Sequence, residues 1–312
     1  MSTPLPSLRQ LTYLLALHEH QHFGRAAAAC FVTQSTLSVG IAELERLLGT
    51  ALVERSKRSV RFTALGEEVV ARAQDVVRAA EDLYAVAQGA REPLVGPLRL
   101  VAIPTVAPFL LPRILADLPT TAPRVKLFVR EMLTGAACEA LARGTADCVL
   151  LALPADCGEV ETCEVAVDRL VLAVPAAEQS DTMIPIDTID TDRLLLLEDG
   201  HCLRNHALAA CNLAHPPVDA PLVASTLQTV VQLVEAGLGI TFLPDMAVRA
   251  GILSGSRVAS QRLEGQAERR IALAWRKGHP RGAEFRLLGT LIREAVARPL
   301  PVRARVGGGA AG

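Results

Sequence analysis

The sequence has no apolar stretch long enough to cross a bilayer, because charged residues interrupt the hydrophobic runs along its 312 residues. Its first ten residues also lack the apolar core of a secretory signal peptide. The formal net charge is only −1, so a surface that binds nucleic acid would have to be a local basic module. These absences argue against membrane and secreted proteins. We expect a cytoplasmic globular protein of two or three domains with no membrane partner.

The seven cysteines are too few and too scattered to indicate a structural disulfide framework. In a reducing compartment disulfides are rare and mostly regulatory. Cys148 lies in the apolar segment DCVLL and is typical of a strand core residue. The spacing suggests no partner for four others: Cys30, Cys138, Cys157 and Cys163.

The first 63 residues predict three helices, at about 7–19, 24–30 and 34–48, from the spacing of their apolar residues. Thr33 is a good N-cap for the third helix, and Gly49 ends it. Two helices joined by a short turn are typical of a helix-turn-helix, in which the start of the second helix reaches base edges. The candidate DNA-contacting residues there are Gln34, Ser35, Thr36 and Ser38.

Two short strands, at 52–55 and 59–63, predict a wing after the helices. Residues 1–63 hold seven basic and four acidic side chains, a net charge of +3. The basic residues cluster at this hairpin, where they would face DNA phosphates. They are Arg55, Lys57, Arg58 and Arg61. The alternative is a small helical domain with a solvated basic hairpin.

A long helix is predicted to follow, over about 64–88. Its apolar residues are spaced 4, 3, 4, 3 and 4 apart, which is a heptad seam and favours pairing with another helix. The alternative is packing against its own domain. Residues 89–96, with Pro93, then indicate a hinge-like linker. The seam consists of Val69, Ala73, Val76, Ala80, Leu83 and Ala87.

Strands alternate with helices beyond residue 96, which predicts an α/β domain over 96–300 with ligand sites at the carboxyl ends of its strands. Two such units fit the length, one formed by about 97–167 plus 269–300 and the other by about 168–268. Residues 301–312 have the composition of a disordered tail. The organisation expected is therefore 1–63, 64–95, 96–300 and 301–312.

The segment from Leu194 to Cys211 carries the most distinctive chemistry. A leucine run predicts a buried strand, and a Glu-Asp-Gly turn leads to Cys202 at the start of a predicted helix. The positive end of the helix dipole, together with His201 and Arg204, favours the thiolate form of Cys202. That form attacks peroxides and disulfides.

Cys211 follows Cys202 after nine residues. A helix would separate them by about 13 Å, whereas a disulfide needs Cα atoms roughly 4.4–6.8 Å apart. The two can pair only if the helix unwinds, which is how a redox switch would behave. The alternative is two ordinary cysteines on a helix rich in alanine and leucine.

Four segments of the first 66 residues resemble the DNA-binding domain of LysR-type transcriptional regulators. They are 23–38 (FGRAAAACFVTQSTLS), 41–49 (IAELERLLG), 52–55 (LVER) and 63–66 (TALG). One departure is Val39-Gly40, where many members carry polar residues, so we expect the operator preference to differ.

The LysR resemblance implies an α+β protein with a winged helix-turn-helix, a long linker helix used for dimerisation and a two-lobed regulatory domain similar to periplasmic binding proteins. It further implies self-association to a dimer or homotetramer, double-stranded DNA operators and RNA polymerase as partners, and no enzymatic activity or cofactor.

Further segments resemble the peroxide-sensing branch of that family: 103–108 (IPTVAP), 147–153 (DCVLLAL), 198–204 (EDGHCLR), Cys211 and 236–244 (AGLGITFLP). The resemblance implies an activator of peroxide-defence genes in which hydrogen peroxide oxidises Cys202 and Cys211 resolves it. A thioredoxin- or glutaredoxin-type protein would reduce the disulfide. The pocket residues implied are Thr105, Thr134, His201 and Arg269, with Arg270 as an alternative to Arg269.

Other interpretations remain open at this point. Each pocket threonine could be a helix N-cap, and residues 220–222 (APL) occupy the region where the branch often has a second histidine. Thr105, Thr134 and Ser225 could instead hold a small carboxylate effector without redox chemistry. A thiol peroxidase is a further option, against which the DNA-binding pattern argues. A zinc site is the last, although the spacing fits no common zinc signature; its donors would be His201, Cys202, His206, Cys211 and His215.

Overall fold

The structure, a computed structural model, describes residues 5–55, 60–89, 93–215, 223–265 and 267–298. The chain forms two compact units, Met1–Arg91 and Glu92–Gly312. The boundaries expected within these units at 63/64 and 95/96 stay predictions, as does the tail at 301–312, which lies outside the described residues.

The first unit begins with the three predicted helices, α1 (Leu8–His20), α2 (Phe23–Ala29) and α3 (Gln34–Leu48). Ser7 caps α1 in a reciprocal arrangement with Gln10. The Thr33 hydroxyl accepts a hydrogen bond from the Thr36 amide at 3.2 Å and so caps α3, as predicted. Gly49 ends α3 in the left-handed conformation, with φ of 70°. These caps fix the short turn that separates the two helices of the helix-turn-helix.

The wing strands are β1 (Val53–Arg55) and β2 (Val60–Phe62), paired antiparallel. The residues at the tip of this hairpin, 56–59, lie outside the described residues, and so do two of the predicted phosphate contacts, Lys57 and Arg58. The core of the unit lies beneath the helices. It includes five fully buried side chains: Leu14, Leu17, Leu37, Ile41 and Leu44.

Gly40 of α3 packs closely against α1, a contact that the sequence does not predict. A Cβ atom at this position would lie 2.7 Å from the ring of Tyr13, which is buried under α3. The Tyr13 hydroxyl in turn accepts a hydrogen bond from Arg9 Nε at 2.6 Å. The glycine therefore lets α1 approach the recognition helix closely, which offsets its cost of about 1 kcal/mol in helix propensity.

The apolar seam of the long helix α4 (Ala64–Gly89) is buried near the start of the helix and exposed further along it. Of the seam residues, Ala73 is buried in the core of its own unit and Val69 packs partly buried against that core. Val76 and Leu83 are 50% and 74% exposed, and they lie seven residues apart. Packing against its own unit thus describes the start of α4, while the exposed pair leaves an apolar stripe suited to a partner helix. Helix pairing itself stays a prediction.

The second unit contains the predicted alternation of strands and helices. Its first part comprises β3 (Gly96–Ala102), α5 (Ala107–Thr121), β4 (Val125–Glu131), α6 (Thr134–Ala142), β5 (Cys148–Leu153), β6 (Val160–Pro175), β7 (Ile184–Pro185) and β8 (Leu196–Leu197). Its second part comprises α7 (Cys202–Ala210), β9 (Val223–Ala224), α8 (Leu227–Glu235), β10 (Thr241–Pro244), α9 (Asp245–Arg249), β11 (Val258–Gln261), β12 (Leu263–Glu264), β13 (Glu268–Arg276) and α10 (Gly282–Ala297).

Two lobes arise because β6 is long enough to serve both. Its first part pairs antiparallel with β13, and its last six residues pair with β10 and β11. In lobe I the parallel strands β4, β3 and β5 lie side by side, followed by β13. Each lobe has its own apolar core: that of lobe I is built around β3, β5 and β13, and that of lobe II around residues 170–174, 194–197 and α8.

The sequence pattern predicted the main strands but missed the first half of β6. Residues 160–168 mix apolar with charged or polar side chains without strict alternation, and most of them are partly or fully exposed, as on a half-exposed antiparallel strand. Short elements of two to five residues were also missed, because periodicity needs a longer window. They are β7, β9, β11, β12 and α9.

Among the described residues, no single helix is both long and apolar enough to cross a membrane. Helices α2 and α3 pass such a test only when taken together, and they are bent by 99° relative to each other. Both belong to the helix-turn-helix.

Candidate redox site

The candidate site lies where three parallel strands of lobe I end. Thr105 follows β3 in the turn before α5, and Thr134 follows β4 as the first residue of α6. Leu153 is the last residue of β5. Because these strands run parallel side by side, their carboxyl ends meet at one edge of the sheet, the usual place for ligand sites in α/β folds.

Cys202 comes to this edge from lobe II. It is the first residue of α7, which follows the short strand β8, as the sequence predicted. Cys202 is 7% exposed and packs into the core of lobe I, whereas Leu203, Ala207 and Leu208 of the same helix pack into the core of lobe II. The thiol therefore lies between the two lobes.

Arg269 is buried on β13, directly opposite Asp168 of the paired strand β6, and it contacts two other residues of the site. Its Nε and Nη2 lie 3.0 Å and 2.9 Å from Asp168 Oδ2. Its Nη1 donates to Thr105 Oγ1 and its Nη2 to the Thr105 carbonyl, both at 2.9 Å. Burial raises the pKa of Asp168, against the opposing charge of Arg269 and a hydrogen bond from the Met246 amide. Arg270 is exposed and pairs with Glu164 instead, so it takes no part in the site.

The two threonines are not helix caps. The N-cap of α5 is Val106 and that of α6 is Leu133, and neither cap involves a side-chain hydrogen bond. The Thr134 hydroxyl is buried without a partner of good hydrogen-bond geometry, yet it lies close enough to Cys202 to lower the pKa of the thiol. Both hydroxyls are therefore available to the pocket.

His206, one helical turn after Cys202, has an unusual environment. Its Nδ1 lies 2.7 Å from the Cys202 carbonyl oxygen, and its Nε2 lies 3.0 Å from the Leu153 carbonyl oxygen. A carbonyl oxygen only accepts hydrogen bonds, so both ring nitrogens donate only when the imidazole is protonated. Burial lowers the pKa of His206, but its hydrogen bonds to Cys202 and to Leu153 outweigh that effect and raise it. The geometry thus favours an imidazolium beside the thiol.

The surroundings of Cys202 favour its thiolate. Burial alone would raise the pKa of the thiol. The His206 ring, the Arg269 guanidinium and the Thr134 hydroxyl outweigh burial and hold that pKa below its ordinary value. A buried thiolate with two cationic neighbours is a reactive nucleophile.

The predicted source of this activation was wrong in part. His201 is the N-cap of α7, buried, with Nδ1 unpartnered and Nε2 3.8 Å from Glu198. Arg204 turns away to Asp199, at 3.1 Å, and to the Leu197 carbonyl. The nearby positive charge comes instead from Arg269 and His206. His206 lies four residues after Cys202 and therefore on the same face of α7, whereas the neighbours of Cys202 in the sequence point elsewhere.

The remaining cysteines fall into three environments. Cys211 is the C-cap of α7 and packs partly against lobe II; burial raises its pKa. Cys148 is fully buried in β5, as predicted, and burial raises its pKa. Cys138 and Cys157, for which the spacing gave no partner, are joined by a disulfide with Cα atoms 4.8 Å apart.

Among the described residues no three His, Cys, Asp or Glu side chains are grouped to hold a metal ion.

The predicted DNA-contacting side chains lie at the start of α3 and on the wing. Gln34, Ser35 and Thr36 are exposed, and Ser38 is half-buried. Arg61 is exposed on β2, and Arg55 ends β1. The recognition helix therefore presents a polar first turn to solvent.

Comparison with known proteins agrees with this architecture. Residues 8–67 match the family model described as "Bacterial regulatory helix-turn-helix protein, lysR family". Residues 91–297 match the model described as "LysR substrate binding domain". The chain belongs to the LysR family. LysR-family proteins of this kind are DNA-binding transcription regulators, and the predicted fold class is confirmed.

This LysR-family protein is 42% identical to "HTH-type transcriptional regulator EstR" of Acinetobacter baylyi, over 94% of this chain and 98% of EstR. It is 40% identical to a "Probable hydrogen peroxide-inducible genes activator" of Streptomyces viridosporus, over 96% of both chains. A full-length OxyR variant from Pseudomonas aeruginosa has the same fold, with a TM-score of 0.78, 34% identity, and coverage of 95% of this chain and 98% of that one.

His206, like Asp168, is a site residue of this LysR-family protein that the sequence alone does not place. The sequence indicates His206 as a candidate metal donor and assigns it no part in the activation of Cys202. Its spacing of four from Cys202 within a helix is the signal that could have found it.

Replacing His206 by glutamine should slow the reaction of Cys202 with iodoacetamide near neutral pH. The pKa of Cys202 is lowered, so its thiolate persists below the ordinary titration range of a thiol. Loss of the imidazolium raises that pKa, and each unit of rise reduces the thiolate fraction about tenfold below it. The decline in rate on acidification should therefore begin at higher pH in His206→Gln. Alkylation of the Cys202 peptide across pH measures this.

The matched control is His215→Gln, which changes an exposed histidine beyond the end of α7. Its profile should overlay that of the unmodified protein. An unchanged profile in His206→Gln would show that the imidazole does not activate the thiol.

Proposed function

We propose that this protein is a peroxide-responsive transcription regulator that controls peroxide-defence genes through a reversible Cys202–Cys211 disulfide. The observation that carries the proposal is the buried Cys202 thiol, with its lowered pKa, placed between the lobes beside Arg269 and His206. The similarity to hydrogen peroxide-inducible activators and to OxyR supports it.

The chemistry requires two steps. The Cys202 thiolate attacks one oxygen of hydrogen peroxide, the O–O bond breaks, and the hydroxide that leaves is protonated to water; Cys202 becomes a sulfenic acid. The Cys211 thiol then attacks the sulfenic sulfur, the disulfide forms, and a second water leaves. Thr105 and Thr134 would hold the peroxide, and Arg269 would stabilise the thiolate before attack. His201 would close the pocket from the N-cap position.

Oxidation must also change the structure. The two cysteines begin and cap the same helix, so α7 has to unwind before their sulfur atoms can meet. Cys202 packs on lobe I and Cys211 on lobe II. Disulfide formation would therefore remove Cys202 from lobe I, and its contacts there, including the hydrogen bond from His206 to Leu153, would be lost.

The output would be a change in DNA binding. The DNA contacts would come from the start of α3 and from the wing, and the exposed Val76 and Leu83 would help join two copies into a dimer, with the tetramer as the assembled form. RNA polymerase, together with a thioredoxin- or glutaredoxin-type reductant, would complete the cycle in the cytoplasm. The wing residues in this proposal are Arg55, Lys57, Arg58 and Arg61.

A second candidate is regulation by a small carboxylate effector without redox chemistry. The observation in its favour is the 42% identity to EstR, a regulator whose name mentions no peroxide. The buried Arg269, with the Thr105 and Thr134 hydroxyls, would supply the anion-binding groups. Ser225 is exposed, so it would be a poor hydrogen-bond donor for an effector held in a closed pocket.

Peptide mapping of the full chain, without reductant and after a near-stoichiometric pulse of hydrogen peroxide, distinguishes these functions. The redox proposal expects a Cys202–Cys211 cross-link at high occupancy and altered operator binding. If both cysteines stay reduced while a carboxylate raises the melting temperature, the protein is an effector-binding regulator instead.

A further inference from the structure

A second pair of cysteines lies next to the candidate redox site. Cys138 is on α6 and Cys157 is in the segment between β5 and β6, 19 residues further along the chain. Their Cα atoms are 4.8 Å apart, inside the range of about 4.4–6.8 Å that a disulfide requires. Unlike Cys202 and Cys211, these two can form or open their bond without unwinding a helix.

Each cysteine of this pair lies near a residue that adjoins Cys202 or its neighbour His206. Cys138 lies one turn after Thr134 on the same face of α6, and the Thr134 hydroxyl lies beside the Cys202 thiol. Cys157 follows Leu153 by four residues, and the Leu153 carbonyl oxygen is held by His206 at 3.0 Å. The bond therefore joins the two segments of lobe I that carry the neighbours of Cys202.

We propose that Cys138 and Cys157 form a second redox-active pair, whose disulfide holds the Cys202 pocket in its reactive arrangement. In forming the bond the two thiols lose two protons and two electrons, and one hydrogen peroxide accepts them and becomes two waters. A dithiol reductant reverses the reaction. The pair is thus a second modification site with peroxide as its oxidant. This inference rests on the proposed peroxide response.

The direction of the effect follows from what the bond restrains. With the disulfide closed, the start of α6 is fixed against the segment after β5, so the Thr134 hydroxyl and the Leu153 carbonyl stay near Cys202 and His206. With the dithiol, the segment holding Cys157 keeps its partly buried packing on lobe I and the backbone hydrogen bond from Lys277 to Glu159, but it loses its covalent link to α6. Reduction of the pair should therefore slow the reactions of Cys202 by about two- to thirtyfold, the range usual for coupling between packed elements.

The test uses the full chain in two redox states. Equilibration in dithiothreitol buffers of graded ratio, followed by peptide mapping, gives chain populations with Cys138–Cys157 closed or open while Cys202 and Cys211 are reduced. The rate of Cys202 alkylation by iodoacetamide and of its oxidation by peroxide is then measured in each. We expect the closed form to react faster, and a Cys138→Ala/Cys157→Ala variant to match the open form.

Cys163→Ala is the matched control, since Cys163 is a free cysteine of the same lobe; its two rates should equal those of the unmodified chain. The proposal is overturned if peroxide closes Cys202–Cys211 while Cys138 and Cys157 stay reduced, or if the closed and open forms react equally. Failure of the peroxide response itself gives a different result, since no Cys202–Cys211 cross-link would then form at either state of the second pair.

Discussion

Replacing Cys202 by serine should abolish the response of operator binding to hydrogen peroxide. The serine hydroxyl is a far weaker nucleophile at neutral pH than the thiolate that Arg269 and His206 stabilise. Burial has the opposite effect at Cys30, Cys148 and Cys211, where it raises the pKa of the thiol. Operator binding by the variant, measured before and after a near-stoichiometric peroxide pulse, should be the same.

Replacing Cys211 by serine should give a different outcome. Cys202 would still react, but without a resolving thiol it would stop at the sulfenic acid, which a dimedone-type reagent traps. Cys30→Ala, at a partly buried position of the first unit, should respond as the unmodified chain does. A Cys202→Ser protein that still changed its operator binding would reject Cys202 as the sensor.

The second large effect is expected from Arg269→Met. The methionine fills similar space but leaves Asp168 Oδ2 and the Thr105 carbonyl without the Arg269 donor. Breaking one side of a buried ion pair typically removes about 3–5 kcal/mol of stability. For a unit of this size that is a fall in melting temperature of roughly 6–20 °C. Thermal unfolding of the full chain measures it, and Cys202 alkylation should also slow.

The pH dependence of this loss has a defined sign. Burial already raises the pKa of Asp168 above its ordinary value, and removing Arg269 raises it further. A carboxyl whose folded pKa is raised stabilises the fold relatively more in acid, so stability is lost as pH rises through that pKa. The deficit of Arg269→Met should therefore shrink as pH falls toward the ordinary aspartate value of about 4.

Two variants control for this experiment. Arg270→Met removes the neighbouring arginine, whose side chain is 63% exposed and paired with Glu164, so its loss should stay below about 1 kcal/mol. Asp168→Leu combined with Arg269→Met removes both charges and should recover much of the stability. Equal losses in Arg269→Met and Arg270→Met would contradict a buried, essential ion pair.

Much of the fold could be predicted from local signals. Thr33 and Gly49 delimit α3 because capping depends on a few adjacent residues. The strands of lobe I were found because each is a short apolar run between turns. The first half of β6 was missed because its charged residues face solvent on one side while its other face packs on lobe I. Such a pattern is clear only when the partner strand is known.

The site was predictable to the extent that its residues follow strand ends. Cys202 at a helix start, with Thr105 and Thr134 after strands, could be expected from the order of elements and from family resemblance. The activating role of His206, the pairing of Arg269 with Asp168 and the Cys138–Cys157 bond could not. Each joins residues distant in sequence or depends on helix register, and three-dimensional packing decides both.

The position of both sensing cysteines on α7 makes helix stability a determinant of reduction potential. Leu203, Ala207 and Leu208 bury that helix in lobe II, and this packing has to be given up when the Cys202–Cys211 disulfide forms. Every 1.4 kcal/mol of helix packing thus raises the potential of the couple by about 30 mV and makes the disulfide easier to reduce. A substitution such as Ala207→Gly, distant from the sulfur chemistry, should therefore favour the oxidised state and lengthen the response after peroxide is gone.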